Sequence, residues 1–550
     1  MRSWLFVSLL ACSVMLFLLA SAQAAQDTSR ADIRVELGSA NAQASKGRLL
    51  VFAISANDAE AAALEASGGT SSVVRAVDAN PFRASQTTVV AREVTRWEPK
   101  QSVTLTQDDV AFPAALSALV PGNYYLQAVL DVDHSYNYNG RGAGDLVSEV
   151  LKVQLPLAAA PVLTLSQVLP AHDPWQLPDG APASQREALQ TARAHAQAVD
   201  FRSPALSDFW GRPVSIQAWV LTPPNYDAKA TAHYPTVYFT HGFGGDMNGL
   251  IQPMLGVYSA MEDGQMPPMV WVFLDQSSAT GTHEFADSVN NGPWGHSLTS
   301  EFIPHLESQF RMDAKPNGRF LQGHSSGGWA TLWLQTRYPK MFGGTWSTSP
   351  DPSDFHDFTG VDLYGAHRNA YRRPDGSAYP LVRDHGKVLG TYEQFAKLER
   401  ALGAYGGQMA SFDWVFSPRG ADGAPMPMFD RDTGVIDANV VAYWREHYDI
   451  AYLVQKNWSQ LKADLDGKVH VAVGTADTFY LDGAVGRLKA VFDGLGAKTD
   501  FQFLPDRSHF DVYAIGDDHN ALLKRITWEM YAVARPQSTL KPAKRSKISD

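Results

Sequence analysis

Short apolar runs alternate with helical segments from about Thr191 onward, and this alternation constrains the fold more than any other feature. Parallel strands covered by helices on both faces are apolar almost throughout, because neither face contacts water. Seven runs have this character: VSIQAWVLTP, TVYFTHG, MVWVFLDQ, GRFLQGH, GGTWSTSP, KVHVAVGTAD and DFQFLPD. The pattern predicts an α/β domain at 191–535, built on a mostly parallel sheet with helices on both faces.

The first part of the chain has a different pattern. From 32 to 157, short alternating or β-branched runs such as RLLVFAIS and YYLQAVLDV are separated by Gly, Pro, Asn and Ser. This pattern predicts an N-terminal antiparallel β-sandwich domain. Residues 158–190 are rich in Ala and Pro and are predicted to form a linker. The basic segment 536–550 is predicted to be a disordered tail.

Residues 1–25 have the layout of a cleaved signal peptide: Arg2, an apolar run, and then the small-residue site Ala22-Gln23-Ala24. The apolar run is shorter than the roughly 20 residues of a membrane-spanning helix. We therefore expect a secreted or periplasmic protein with no transmembrane anchor after cleavage. The only cysteine, Cys12, lies in this segment, so the mature chain has neither a disulfide nor a thiol nucleophile. The formal charge of −11 argues against nucleic acid as a partner.

The alternation of predicted strands and helices is interrupted between residues 355 and 452. This stretch is too long for an ordinary loop, so it is interpreted as a cap over the site or as a lateral insertion. Its aromatic residues suggest an apolar or aromatic portion of a substrate, although we expect most of them to lie in the core. They include Trp414, Phe416, Phe429, Tyr443 and Trp444.

The sharpest chemical signal is GHSSGG at 323–328, whose first five residues satisfy G-x-S-x-G. It follows the apolar run RFL and precedes the helical segment WATLWLQTRYP, which is the strand–turn–helix context of a nucleophile elbow. Glycines at 323 and 327 would allow the strand and the helix to approach closely. The sequence therefore predicts Ser325 as a nucleophile.

A serine hydroxyl needs a base that takes its proton. His509 lies just beyond the predicted strand DFQFLPD, near the end of the domain, where the chain order Ser, acid, His places the base. The nearest rival is His519, which precedes the apolar positions of the last helix and is interpreted as a surface or capping residue.

The acid that orients the imidazole should follow the preceding strand. Asp477 ends VHVAVGTAD and is the first choice. Asp482 and Asp506 are possible substitutes. Asp482 begins the next helix, where an acidic residue often interacts only with the helix dipole, and Asp506 is close in sequence to His509.

Backbone N–H groups in a Gly-rich turn can stabilise the oxyanion of an acyl-transfer reaction. The turn HGFGG at 241–245 follows the strand TVYFT, and we assign the two donors to the N–H groups of Phe243 and Ser326. His241 is expected to support this turn by hydrogen bonding and to border the substrate. Further candidates for the pocket are His296, Asp354 and His356.

One loop of the first domain is rich in oxygen ligands that suit calcium. Its spacing does not match an EF-hand, so a solvated turn is the favoured interpretation. The residues are Asp131, Asp133, Asn137, Asn139 and Asp145. No phosphate-binding or dinucleotide-binding motif is placed where it could work, so we expect no cofactor and no catalytic metal.

Together these motifs resemble the putative-esterase family of α/β-hydrolases, which includes esterase D, enterochelin esterases, feruloyl esterases and mycolyltransferases. The resemblance runs from about Val214 to Tyr531 and is most specific from SEFIPHLESQF through RFLQGHSSGGWATL to GGTWSTS. VAVGTADTFY and LPDRSHF are similar to the acid and histidine segments of the family. The resemblance implies an α/β-hydrolase fold, a triad of Ser325, Asp477 and His509, and Phe243 and Ser326 as oxyanion donors. The 355–452 stretch has no counterpart, and the first domain resembles β-sandwich modules that precede some enterochelin-type esterases.

These expectations favour a secreted serine esterase that hydrolyses a small-molecule carboxylic ester through an acyl-enzyme. An acyltransferase would use the same acyl-enzyme and would pass the acyl group to a sugar or lipid hydroxyl. A binding protein with a non-catalytic hydrolase domain would require a defect in the triad, which the sequence does not contain. Peptidase activity stays open, because the same triad cleaves amides.

Overall fold

The computed structural model describes residues 32–39, 45–106, 109–177 and 180–543. The predicted signal peptide, 1–25, lies outside these ranges. The described chain divides into two compact units. One comprises residues up to 136, 141–171 and 401–403, and the other comprises residues 137–140, 172–400 and those from 404 onward. None of the helices in the described ranges is both long and apolar enough to cross a membrane.

The first unit is a β-domain. Its strands are β1 (Ile33–Leu37), β2 (Ser45–Ser55), β3 (Thr88–Trp97), β4 (Ser102–Leu105), β5 (Val110–Phe112), β6 (Gly122–Asp131), β7 (Leu146–Ser148), β8 (Leu151–Leu155) and β9 (Val162–Val168). The same stretch contains helices α1 (Ala56–Ala66) and α2 (Tyr136–Asn139) and 3-10 turns at Pro81–Arg83 and Leu116–Ala118. Hydrogen bonds join the strands in the order β4-β1-β9-β7-β6-β2-β3-β5, with β8 beside β6. Only the β1–β9 pair is parallel among these described strands.

Strand β9 lies inside the segment that the sequence predicts as a linker, 158–190. It pairs with β1 and β7, and its alternate residues Leu163 and Leu165 are buried in the core of the first unit. The linker prediction is therefore wrong for this stretch. The Ala- and Pro-rich flanks obscured a short strand whose period-two pattern buries only two side chains.

The second unit is built around one eight-stranded sheet in the order β10-β11-β13-β12-β18-β19-β22-β23. These strands are β10 (Ala196–Arg202), β11 (Ser215–Leu221), β12 (Thr236–Thr240), β13 (Val270–Leu274), β18 (Arg319–His324), β19 (Gly344–Thr348), β22 (Val469–Gly474) and β23 (Thr499–Leu504). The pairs β10–β11 and β11–β13 are antiparallel, and the other pairs are parallel. Two-residue strands β14 to β17 form small ladders at Ser277–Ser278, Gly281–Thr282, Asp287–Ser288 and Gly292–Pro293.

Helices cover the sheet. They are α3 (Ala183–His195), α4 (Pro204–Trp210), α5 (Ile251–Glu262), α6 (Trp294–Ser297), a π-helical turn (Leu298–Phe302), α7 (Ile303–Gln309), α8 (Ser326–Arg337), α9 (Tyr392–Leu402), α10 (Gln408–Phe416), α11 (Ala438–Tyr448), α12 (Ile450–Leu465), α13 (Leu481–Gly494) and α14 (Ala521–Ala534). Two further 3-10 turns lie at Pro316–Gly318 and Phe355–Asp357. Separate buried clusters contain Trp329 of α8, Met254 of α5 and Phe302 of the π-helical turn. Burial of such apolar area stabilises the unit by roughly 25 cal/mol per Å².

This strand order, with an antiparallel start followed by parallel strands and helices on both faces, is the α/β-hydrolase fold. All seven strands predicted from apolar runs are present. Strand β10 was missed. It lies at the edge of the sheet and buries only Val199 fully, so it has no continuous apolar run that could mark it.

The 355–452 stretch lies between β19 and β22 and has its own secondary structure. It contains the hairpin of β20 (Pro380–Asp384) and β21 (Lys387–Thr391), followed by α9, α10 and α11. Phe416, Phe429 and Trp444 are buried, as expected for most of its aromatic residues, in a cluster that also contains Trp329 of α8 and Val471 of β22. These rings stabilise the insertion and are not free to contact a substrate.

The chain continues past α14 in contact with the second unit. The Ala543 N–H donates to Gly264 O, and the Gln265 side chain donates to Ala543 O, both at 2.9 Å. These two bonds hold Ala543, the last described residue of the segment 536–550 for which disorder is predicted. Residues 544–550 lie outside the described ranges.

Candidate active site

Ser325 occupies a sharp turn between β18 and α8. Its backbone has φ 59° and ψ −127°, a conformation that costs of order 1–3 kcal/mol in a residue with a side chain. A Cβ on Gly323 would lie 2.2 Å from Gly327 O, and one on Gly327 would lie 2.1 Å from Thr240 O. Glycine is required at both positions because α8 lies too close to β18 at Gly323, and too close to the end of β12 at Gly327, for a side chain.

Asp477 and His509 follow neighbouring parallel strands, β22 and β23, and meet beyond the carboxyl ends of both. His509 Nδ1 lies 2.9 Å from Asp477 Oδ2, and both side chains are buried. With Nδ1 donating to the carboxylate, Nε2 is the nitrogen left to act as a base. The pair has the geometry of the two groups that activate a serine nucleophile.

Several contacts hold Asp477 ionised. Burial acts to raise its pKa, but the charge and hydrogen bond of His509 outweigh burial, helped by the backbone N–H groups of Phe479 and Leu481. Those two N–H groups donate to Asp477 Oδ1 at 2.9 and 3.3 Å. The pKa of Asp477 therefore lies below its ordinary value, and the carboxylate can stabilise a protonated imidazole.

His324, the residue before Ser325, connects these elements. Its ring centroid lies 4.4 Å from that of His509, so the turn at Ser325 and the Asp477–His509 pair lie close together. Burial lowers the pKa of His324 to about 3, with a further lowering by the charge of His509. His324 is consequently neutral at physiological pH.

The turn 241–245 packs directly against Ser325. A Cβ on Gly242 would lie 3.0 Å from Ser325 Cβ. His241 fastens this turn to the end of β13: its Nδ1 lies 2.7 Å from Gly242 O and its Nε2 lies 3.1 Å from Asp275 Oδ1. The backbone N–H groups of Phe243 and Ser326 donate no hydrogen bond within the described part of the chain, so both can serve a ligand.

Asp351 contacts Ser325, and no local sequence pattern indicates this contact. Ser325 Oγ donates to Asp351 Oδ1 at 3.4 Å, and Ser326 Oγ donates to Asp351 Oδ2 at 2.6 Å. Burial raises the pKa of Asp351 to about 6, an effect that the two hydroxyls and the charge of His509 partly oppose. Asp351 follows β19 in the segment SPDPSDFH, from which Asp354 and His356 had been selected.

A second carboxyl, that of Glu284, lies near Asp351 and was also missed. Glu284 is fully buried, and among the described residues its Oε2 has no hydrogen-bond partner. Burial raises its pKa well above the ordinary value, and the charge of Asp351 raises it further. Glu284 and Phe285 both have left-handed backbone conformations, with φ of 50° and 47°. Strained non-glycine residues of this kind cluster at functional sites.

The remaining candidates lie apart from this cluster. The N–H of His296 donates to Asp287, its ring faces Ser300, and the side chain is exposed. Asp482 forms an ion pair with Arg383. The other sequence candidates have these positions: Asp354 caps the turn that contains His356, His356 pairs with Asp362, and Asp506 and His519 are exposed.

The acidic loop of the first unit brings together Asp131, Asp133 and Asp145, whose ligand oxygens lie within 4.8 Å of one another. Backbone N–H groups already occupy these oxygens. Ser135 and Tyr136 donate to Asp131, and Val132 and Gly142 donate to Asp145. The interpretation favoured from the sequence is a solvated turn, but Asp131 and Asp145 are buried and only Asp133 is exposed, so the turn is largely buried and hydrogen-bonded.

Comparison with known proteins places this geometry in context. A family model described as "Putative esterase" matches residues 212–516. No curated protein matches the chain.

Among solved structures, a ferulic acid esterase is 14% identical, with 62% of this chain and 97% of that chain covered and a TM-score of 0.37. An S-formylglutathione hydrolase from Staphylococcus aureus is 12% identical, with 61% and 98% covered and a TM-score of 0.37. A ferulic acid esterase from Anaeromyces mucronatus is 11% identical, with 62% and 90% covered and a TM-score of 0.33. Each of these three structures matches only 61–62% of this chain.

Proposed function

This chain belongs to the putative-esterase family and is a carboxylic ester hydrolase of the serine type, and we propose that it forms an acyl-enzyme on Ser325 with His509 as base and Asp477 as acid. The hydrogen bond of 2.9 Å between His509 Nδ1 and Asp477 Oδ2 supports this assignment most directly. The strained backbone of Ser325, at the end of a strand in the same sheet, supports it independently.

In the proposed reaction, His509 Nε2 removes the proton of Ser325 Oγ as the oxygen attacks the ester carbonyl carbon. The N–H groups of Phe243 and Ser326 donate to the oxyanion of the tetrahedral intermediate. The intermediate collapses, the bond to the leaving alcohol breaks, and the alcohol departs with the proton from His509. Water then attacks the acyl-enzyme with His509 again as base, which releases the acid and restores Ser325.

The resting hydrogen bond of Ser325 Oγ points to Asp351 rather than to the base. Before attack, the hydroxyl must rotate from Asp351 Oδ1 to His509 Nε2. Rotation about one side-chain bond is fast compared with chemistry.

We further propose that the protein acts outside the cytoplasm, where it would meet extracellular or periplasmic esters. The layout of residues 1–25 supports this location. Export can be tested by expressing the full chain and determining the N-terminus of the protein recovered outside the cytoplasm. A mature N-terminus near residue 25 is expected, and retention of Met1 in the cytoplasm would contradict the proposal.

The nucleophile can be tested by labelling with a fluorophosphonate, followed by peptide mapping and turnover of a short aryl ester. Label should fall on Ser325, and Ser325→Ala should abolish both labelling and turnover. The matched control is Ser297→Ala, which removes another buried serine hydroxyl outside the site. Label on another residue, or turnover by the Ser325→Ala variant, would show that the assignment is wrong.

A further inference from the structure

The hairpin of β20 and β21 contacts the segment that carries the proposed catalytic acid. We call residues 475–480, between β22 and α13, the acid loop. Arg383 at the end of β20 makes three hydrogen bonds to backbone oxygens of this loop. Its N–H donates to Thr478 O at 2.9 Å, its Nε to Asp477 O at 2.7 Å, and its Nη2 to Thr475 O at 3.4 Å.

The guanidinium of Arg383 is itself held in one orientation. Asp482 accepts from Nη2 at 2.7 Å, and the guanidinium carbon lies 4.2 Å from the centroid of the Tyr480 ring. The side chain of Arg383 is only 16% exposed. A planar guanidinium that bonds and stacks in this way fixes its partners in relation to one another, which a flexible ammonium cannot do.

Three N–H groups at the start of the acid loop donate to neighbouring backbone oxygens, Thr475 to Leu504 O, Ala476 to Arg507 O and Asp477 to Gly474 O, at 2.9, 3.0 and 3.1 Å, whereas Arg383 binds the carbonyl oxygens of the loop. Asp477 O also accepts from Tyr480 N–H at 3.2 Å, and Tyr480 has a left-handed backbone with φ 62°. The N–H groups that orient the Asp477 carboxylate come from Phe479, near the far end of the loop, and from Leu481, the first residue of α13. A change in the path of the loop would therefore displace the carboxylate and its donors together.

The contact acts on the peptide group of Asp477 and not on its carboxylate. Arg383 donates to the backbone oxygen, and its positive charge is compensated by Asp482. The causes that set the pKa of Asp477 are burial, then His509, then the N–H groups of Phe479 and Leu481. The effect of Arg383 on catalysis is thus expected to come through geometry.

The same hairpin also reaches the segment before His509. The turn residue His385 contacts Asp506 O through Nε2 at 3.2 Å. Asp506 N–H donates to Thr475 Oγ1 of the acid loop at 2.9 Å. One hairpin of the 355–452 insertion thus contacts both segments whose side chains form the Asp477–His509 pair.

We propose that Arg383 is a positioning residue that holds the acid loop so that Asp477 presents its carboxylate to His509. This inference rests on the proposed function of the Asp477–His509 pair. It gives the hairpin of the insertion a role in the reaction itself, in addition to any role in covering the site.

The test uses the full-length enzyme with Arg383→Lys and Arg383→Gln. Lysine retains the positive charge but cannot form the fork of hydrogen bonds to the loop, and glutamine lacks both the charge and the fork. Both variants should therefore have lower activity. We expect kcat for a short aryl ester to fall by about 10- to 100-fold, the effect of displacing a reacting group by roughly 1 Å, with KM changed by less than about threefold. The rate of fluorophosphonate labelling of Ser325 should fall in parallel.

The pH dependence of kcat/KM distinguishes a role in positioning Asp477 from a role only in attaching the hairpin to the rest of the unit. If Asp477 no longer faces the imidazole, the protonated ring is less well stabilised, so the acidic limb of the kcat/KM profile should move to lower pH. Loss of an anchor alone would change stability or KM without moving this limb. All rates are normalised to active sites titrated with the fluorophosphonate, so that misfolded protein does not contribute.

The matched control is Arg372→Gln, which removes another arginine of the insertion. Arg372 forms an ion pair with Glu393 and should have little effect, because exposed pairs contribute only about 0–1 kcal/mol. The inference is overturned if the Arg383 variants keep kcat within about twofold of the wild type with an unmoved acidic limb, or if they match Arg372→Gln. Absence of both labelling and turnover in the wild type would instead refute the proposed function.

Discussion

Replacing Asp351 with asparagine should stabilise the protein in neutral and mildly alkaline solution but not in acid. Asp351 is 3% exposed and has no basic partner other than His509 among the causes of its pKa shift. Its carboxylate form is therefore desolvated with little compensation. Asparagine has nearly the same shape and retains one oxygen for the hydroxyls of Ser325 and Ser326.

The expected magnitude follows from the two pKa values. Burial raises the pKa of Asp351 from 3.8 to about 6 in the folded protein. A difference of one pKa unit corresponds to 1.36 kcal/mol, so ionisation of Asp351 costs the folded state about 3 kcal/mol above the folded pKa. Asparagine does not ionise and removes this cost.

The direction of the pKa shift of Asp351 determines the pH range over which the stability difference changes. A carboxyl whose folded pKa is raised binds its proton more tightly in the folded state than in the unfolded state. The stabilisation that this proton provides is fully present below about pH 4 and is lost as the pH rises through about 6. The difference in unfolding free energy between Asp351→Asn and the wild type should therefore grow by about 2–3 kcal/mol between about pH 4 and about pH 8.

Urea unfolding at several pH values measures this difference. The change with pH is the informative quantity, because packing differences between aspartate and asparagine are the same at each pH. Equal slopes against urea must be verified so that the midpoints report stability. The matched control is Asp477→Asn, for which the sign is opposite. The pKa of Asp477 is lowered, so this variant should lose stability at neutral pH and recover relative to the wild type in acid.

The reasoning on Asp351 fails if the stability difference between Asp351→Asn and the wild type is independent of pH. It also fails if the variant gains stability in acid relative to alkaline solution. Either result would mean that the carboxylate has a compensating partner in the folded protein.

Three further predictions concern the site and its support. Asp477→Asn should lower kcat by about 10⁴-fold, because the amide stabilises the wrong tautomer of the imidazole, and steady-state kinetics with an aryl ester measure this loss. Gly327→Ala should destabilise the protein by about 1–3 kcal/mol in urea unfolding because the new Cβ would lie 2.1 Å from a backbone oxygen. The control is Gly486→Ala, at a helical position where a Cβ would meet nothing within 4 Å, and this variant should be more stable by about 0.5–1 kcal/mol. Trp444→Ala should cost about 3–5 kcal/mol in the same measurement because it empties a fully buried position in the insertion, and a cost below about 1 kcal/mol would mean that the insertion does not fold with the rest of the unit.

The sheet of the second unit could be predicted because its central strands are buried on both faces and are therefore apolar throughout. The turn at Ser325 could be predicted for a local reason: the strained backbone and the close approach require glycines at fixed positions. Asp477 and His509 could be selected because parallel neighbouring strands end at the same edge of a sheet. In each case the physical constraint acts within a short stretch of sequence or follows from the order of strands.

Glu284 and Asp351 could not be predicted in this way. Both lie in irregular segments, and the direction of each side chain depends on packing against distant parts of the chain. The segment of Glu284 is held by Ser411, whose Oγ accepts from Thr282 N–H at 2.9 Å across 129 positions of sequence. Strand β10 was missed for a different reason, because an exposed edge strand needs no apolar run.

A contact made by the 355–452 insertion could not be predicted from local sequence either, and this contact involves the proposed site. Arg383 is separated from Asp477 by 94 positions, and no local pattern relates the two residues. In the folded chain its backbone and guanidinium bond to the loop that orients the acid, so a segment outside the common sheet contributes to the geometry of the pair. Loss of the insertion would leave the oxygens of Asp477 and Thr475 without their Arg383 donors, so new donors would have to replace them. The insertion is therefore expected to constrain catalysis as well as substrate choice.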